Sequence, residues 1–153
     1  MSTVDTVSTI KYSKEVQMGY IAFVLSEQSR EDIKKLFPSK YEREVCHHVT
    51  LVFGDTSEEA RMMAGMDAGY GAYITGHYDD KQGVECLSVS FAMDRGNGTF
   101  SLCNTRRDGQ KYHITHSLTT SRKPVESNNV VGKPEYQTRL ITLEISGTIE
   151  VID

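Results

Sequence analysis

The sequence predicts an α+β fold on a largely antiparallel sheet. Strand-like runs dominate the chain, turn signals separate them at hairpin spacing, and two helical stretches fall in the first half. The 153 residues suit one domain spanning 1–153, long enough to bury a sizeable core. Hydrophobic residues at 38%, charged residues at 25% and three prolines describe an ordinary folded chain, not a disordered one.

After a polar lead-in, where Ile10, Tyr12 and Val16 suit a short strand or arm, Met18 to Leu25 is nearly all apolar and reads as a central strand. Ser29 to Asp32 resembles a capping box, and Ile33, Leu36 and Phe37 follow at helical spacing before Pro38, which predicts a short amphipathic helix over 29–37. Cys46 to Phe53 alternates as a strand does. His47, Val49, Leu51 and Phe53 fall on one side, and Cys46, His48, Thr50 and Val52 on the other.

Gly54 ends that strand, Ser57 is placed to cap the next element, and Glu58 to Met66 has helical composition with acids in its first turn. Tyr70 to Thr75, Val84 to Phe91 and Thr99 to Asn104 read as a meander interrupted at 78–83 and 94–98. Tyr112 to Leu118 alternates again, with His113, Thr115 and Ser117 on one side and Ile114, His116 and Leu118 on the other. Arg139 to Ile145 and Thr148 to Ile152 close the chain, the last suiting a sheet edge or an arm onto a partner.

No apolar run approaches the roughly 20 residues that cross a bilayer, and Met1 to Lys14 lacks the basic-then-apolar order of a secretory leader. A cytoplasmic protein with no membrane partner is expected. Cys46, Cys86 and Cys103 are an odd number at wide spacings, so neither a disulfide framework nor a zinc ribbon is predicted. A net charge of −4 disfavours coating of long nucleic acid. Locally, however, Arg106, Arg107, Lys111, Arg122 and Lys123 surround His113.

The chemistry-bearing pattern is a repetition. His48-Val-Thr50-Leu and His113-Ile-Thr115-His share the order histidine, apolar, threonine, each on a predicted strand. The two-residue period puts each His beside its Thr on one face, roughly 6.5 Å apart. A single His-x-Thr reads as structural. Two copies on neighbouring strands would flank a phosphate with two imidazoles, one taking a proton and the other giving one, while the hydroxyls steady the non-bridging oxygens with help from Lys111 or Lys123. An ordinary imidazole populates both protonation states near neutrality. His47 and His116 fall on the apolar face and are read as packing residues. Adjacent strand residues point apart and no third ligand is suitably spaced, so no metal or other cofactor is predicted.

With these paired motifs, and the leading strand Gly19-Tyr20-Ile21-Ala22-Phe23, the sequence resembles the 2H phosphoesterase superfamily over most of its length. The resemblance implies a bilobal, largely antiparallel sheet with short helices packed outside and a central cleft. Within the superfamily, His48 to Gly54, His113 to Leu118 and Arg122 to Asn128 resemble the phage anti-CBASS nucleases. That likeness implies a metal-independent enzyme that opens the 3′-5′ bonds of cyclic di- and trinucleotide immune messengers in the infected bacterial cytoplasm.

Members of that group stack bases on aromatic side chains. The chain has no tryptophan, so Tyr12 or Tyr73 takes that part, and Glu144 is the counterpart of an acid that reads a base edge. The same stretches are also similar to the cyclic phosphodiesterase domains of fungal tRNA ligases, which leaves a 2′,3′-cyclic phosphodiesterase or ligase acting on RNA ends as one alternative. A non-catalytic cyclic-nucleotide sponge is another. Oligomeric state, base preference and ring size stay open at this level.

Overall fold

In the computed structural model, which describes residues 19–153, the chain runs through strand β1 (Tyr20–Leu25), helix α1 (Glu27–Leu36), a two-residue strand β2 (Arg43–Glu44), β3 (His48–Phe53) and helix α2 (Glu58–Ala68). It continues through β4 (Ala72–Asp79), β5 (Val84–Gly96), β6 (Thr99–Cys103), β7 (His113–Leu118), 3-10 turns at Pro124–Asn129 and Pro134–Tyr136, β8 (Gln137–Ile145) and β9 (Gly147–Ile152). The class is α+β, and every strand pairing is antiparallel. The expected N-terminal arm, with Tyr12, lies outside the described residues.

The strand order is β8-β4-β5-β7-β3-β1-β9, with β2 added beside β7 and β6 beside β5. A flat sheet on this path would hold β8 and β9 about 29 Å apart at the usual interstrand spacing. Yet Ser146 alone joins them, a link reaching about 7 Å. The sheet therefore curls into a half-barrel. The joint is fastened to α1: the Ser146 amide donates to Ser29 Oγ at 2.8 Å, and the Ser26 amide donates to the Ser146 carbonyl at 2.9 Å.

One sheet face is the main core. Ile21, Phe23, Val49, Leu51, Leu87, Val89, Phe91 and Ile114 pack there under Ile33 and Phe37 of the first helical region and Ala60, Ala64 and Ala68 of α2. A smaller cluster of Tyr78, Val84, Cys86, Leu118, Val130 and Val131 lies partly beneath the loop that follows Pro124.

Several boundaries differ from the sequence reading, each for a local reason. Helix α1 starts earlier, because Ser26 rather than Ser29 is the cap and accepts from the Ser29 amide, which leaves the Ser29 hydroxyl free to hold Ser146. Strand β3 starts at His48, because Cys46 has φ 40 and breaks the extended backbone before it. Strand β4 begins after Gly71, whose φ of 136 suits glycine, and runs past the expected end at Thr75 to Asp79, two residues into the expected turn. Strand β2 carries no alternation to betray it; both residues are exposed and pair with the end of β7. Among the described residues no helix is long and apolar enough to cross a membrane.

Candidate active site

Strands β3 and β7 are sheet neighbours, with Val49 opposite Ile114 on the core face. The residues flanking that pair turn the other way. His48 and Thr50 from β3, and His113 and Thr115 from β7, line one cavity of about 440 Å³. That is the size of a pocket for one small ligand. Tyr20, Arg106, Asp108 and Asn128 also line it.

The two imidazoles differ in their supports. His113 Nδ1 lies 3.0 Å from the Lys111 carbonyl oxygen, to which it donates, so the neutral ring presents a bare Nε2. His48 Nδ1 lies 3.0 Å from His47 Nδ1, and the Tyr20 ring packs against His48 with centroids 5.3 Å apart. With the proton on His48 Nδ1, its Nε2 is bare as well. Burial, then the neighbouring His47 and His113, pushes the His48 pKa down from 6.5 to about 4. Burial also lowers His113. Its hydrogen bond to the Lys111 carbonyl opposes that shift, and the Arg106 charge adds to it. Both shifts favour the neutral ring, against the expectation from an ordinary imidazole that both protonation states are populated near neutrality.

His47 does not lie on the apolar face as its alternation predicted. The turn at Cys46 leaves its ring exposed and edge-on to His48, with centroids 5.2 Å apart. His116 is fully buried; its Nε2 donates to the Phe37 carbonyl at 2.6 Å, and its Nδ1 has no partner among the described residues.

The two threonines also differ. Thr50 is half-buried, and its hydroxyl has no partner among the described residues. Thr115 is buried, with its hydroxyl 2.9 Å from Ser127 Oγ and 3.4 Å from the Pro124 carbonyl, so the loop after β7 holds it in place. Nearby, Asn128 Oδ1 is buried without a partner among the described residues, an acceptor that a ligand donor can satisfy.

Tyr73 and Glu144 do not line this cavity, but they share its sheet face. His113 is opposite Ser88, Ser90 is opposite Tyr73, and Tyr73 is opposite Glu144. Cross-strand partners and second neighbours share a face, so a polar track leaves His113 and reaches Tyr73 about 10 Å across the sheet.

Neither Lys111 nor Lys123, expected to help steady the non-bridging oxygens, lines the cavity. The Lys111 side chain lies along Gly132, where an added Cβ would sit 3.1 Å from its Cδ, and its contribution to the site is the carbonyl under His113. Lys123 is exposed at the start of the 3-10 turn, where its amide donates to Glu126 at 2.8 Å. Arg106, which the sequence offered only as one charge in a basic run, is the cation in the wall. Tyr20 and Asn128 had no signal of their own.

Among the described residues no group of three His, Cys, Asp or Glu side chains is arranged to hold a metal. Comparison of the chain with models of known protein families, with curated proteins and with solved structures finds no match.

Proposed function

We propose that this chain is a phosphodiesterase of the two-histidine class, working by acid–base catalysis without a metal in a 2H phosphoesterase-like, bilobal architecture. The observation that carries the reading is the convergence of His48, Thr50, His113 and Thr115 on one cavity between neighbouring strands. Within that class, the substrates are the cyclic di- and trinucleotide messengers of bacterial immunity. The sequence resemblance and the polar track to Tyr73 and Glu144, long enough to seat a second nucleoside, support that substrate class.

The environments of the histidines suggest their order of use. His48, held neutral at pH 7, is the base that takes the proton from the ribose 2′-hydroxyl. The oxygen then attacks phosphorus in line, and His113 protonates the departing 5′-oxygen. The negative phosphate opposite His113 raises its proton affinity, and the Lys111 carbonyl stabilises the resulting imidazolium. Thr50 donates to a non-bridging oxygen. Water opens the 2′,3′-cyclic phosphate with the roles exchanged, leaving a 3′-phosphate.

The test is incubation with cyclic GMP–AMP in EDTA, followed by chromatography. Linear product is expected, and it should disappear in His48→Ala and His113→Ala, with the double variant hardly worse than either. No linear product, or additive losses, would sink the reading. The cavity's single-nucleotide size favours a second reading, an RNA-end enzyme, which predicts turnover of adenosine 2′,3′-cyclic phosphate but not of the intact dinucleotide. Recovery of bound ligand unchanged after denaturation would instead mark a sponge.

A further inference from the structure

We propose that Arg106 is the cationic clamp of this cleft, binding a non-bridging oxygen of a phosphoryl group seated between His48 and His113, with Asp108 as its resting counter-ion. The proposal deepens the phosphodiester reading and rests on it for the position of the phosphate.

Arg106 is the one Lys or Arg among the described residues that line the cavity. Its side chain is only 9% exposed, against 51% for Asp108. A guanidinium kept this far from water needs a counter-charge, and Asp108 supplies it: Arg106 Nε donates to Asp108 Oδ1 at 3.0 Å, and one terminal nitrogen donates to Oδ2. That fork uses one edge of the guanidinium. The other terminal nitrogen, Nη1, has no hydrogen bond among the described residues. A planar group with one edge fixed and another open matches the geometry of a phosphate oxygen.

The loop that carries the pair is built to hold still. Thr105 bridges to Lys111 across its neck, the Arg106 amide donates to the Gln110 carbonyl at 2.7 Å, and the Gly109 amide donates back to the Arg106 carbonyl at 3.0 Å. Gly109 turns the chain at φ 93, and Asp108 Oδ1 also accepts from the Gln110 amide at 3.1 Å. Arg107 ties the loop to α2 through a two-pronged contact with Asp67 at 2.7 and 2.8 Å. Each charged side chain has a separate task. Arg107 anchors, Asp108 aims, and Arg106 faces the cleft.

The placement also resolves how a chain of net charge −4 attracts an anion without the two lysines. The Arg106 charge is felt at His113, which it helps to hold below its ordinary range. An arriving phosphate meets that charge at close range, on the guanidinium edge that Asp108 leaves open.

Inorganic phosphate titrated into the protein at pH 7, followed by NMR of the His48 and His113 ring protons, tests the clamp. Arg106→Gln is expected to weaken phosphate binding about 10-fold to 100-fold, the range of a lost charged hydrogen bond, and to raise the His113 titration midpoint. Arg106→Lys should fall between, keeping charge but losing the fork. Asp108→Asn should bind as well as the parent or several-fold tighter. The proposal is overturned if the parent binds no phosphate, if Arg106→Gln binds it unchanged, or if Asp108→Asn loses binding as Arg106→Gln does. The functional reading fails separately. Phosphate binding that follows Arg106, without cleavage of cyclic GMP–AMP or adenosine 2′,3′-cyclic phosphate, keeps the clamp and removes the enzyme. Turnover by Arg106→Gln at unchanged KM removes the clamp and keeps the enzyme.

Discussion

His48 should titrate near pH 4, and replacing it with glutamine should flatten the acid side of the protein's stability curve. Burial is the main cause of its depressed pKa, followed by the rings of His47 and His113. The sign follows from proton counting. Between its ordinary value of 6.5 and about 4, the unfolded chain holds a proton at this position and the folded chain does not. The folded state is therefore free of this penalty above 6.5 and loses stability as the pH falls toward 4. One full proton corresponds to a slope of about 1.4 kcal/mol per pH unit. The ring is half-buried, so solvent screening makes that slope an upper limit.

Urea unfolding of the parent and His48→Gln at several pH values from about 4.5 to 7.5 reads the difference in slope. Ring-proton NMR reads the midpoint directly. A midpoint close to 6.5, or parallel stability curves, would refute the reasoning. If turnover is found, the acid limb of kcat/KM should lie near the same midpoint. His47→Ala should move that limb upward, because it removes one of the groups that depress it.

Two predictions concern the scaffold. Burial pushes the Glu85 carboxyl up, but hydrogen bonds from His77, the Lys40 amide and Ser117 outweigh it and leave the group below its ordinary 4.5. Its contribution is present above that value and fades as pH falls through the lower native one; Glu85→Gln should cost about 3–5 kcal/mol in urea unfolding at pH 7, and a loss below about 1 would show that His77 and Ser117 find other partners. Phe91 is fully buried and meets Phe23 and Tyr112 edge-on, with centroids 5.5 and 4.8 Å away. Phe91→Ala should cost about 3–5 kcal/mol at an unchanged denaturant slope, and a cost under about 1 kcal/mol would mean the core closes over the gap.

The parts of this geometry legible in the sequence are those set by local periodicity. Alternation puts Val49 and Leu51 in the core and His48 and Thr50 opposite, and the same rule sorts His113 from Ile114. Ser57 caps α2 as its position suggests. The rule fails where one residue leaves the extended region: at Cys46 the backbone turns, and His47 moves from the expected packed face to the side of His48. Non-local facts were not readable either. That β3 lies beside β7 depends on the whole strand order, and Arg106 is distinguished from Arg107 only by which partner each meets, Asp108 in its own loop or Asp67 on α2.

The lowered pKa values of both histidines run against the proposed acid–base work, which needs one ring charged. The charge that a substrate brings removes the contradiction. Burial and the nearby Arg106 disfavour a proton on His113, while the Lys111 carbonyl waits on its far nitrogen. A phosphodiester brings one negative charge into that balance, offsetting Arg106 at the moment the phosphorus is in place. In the proposed mechanism His113 then gains proton affinity only when there is a leaving oxygen to protonate. His48 is placed differently: its far nitrogen meets another imidazole instead of a carbonyl, so nothing comparable supports a charge on it. The carbonyl under one ring and the histidine beside the other thus give two chemically identical side chains unequal surroundings, from supports that neither His-x-Thr motif contains.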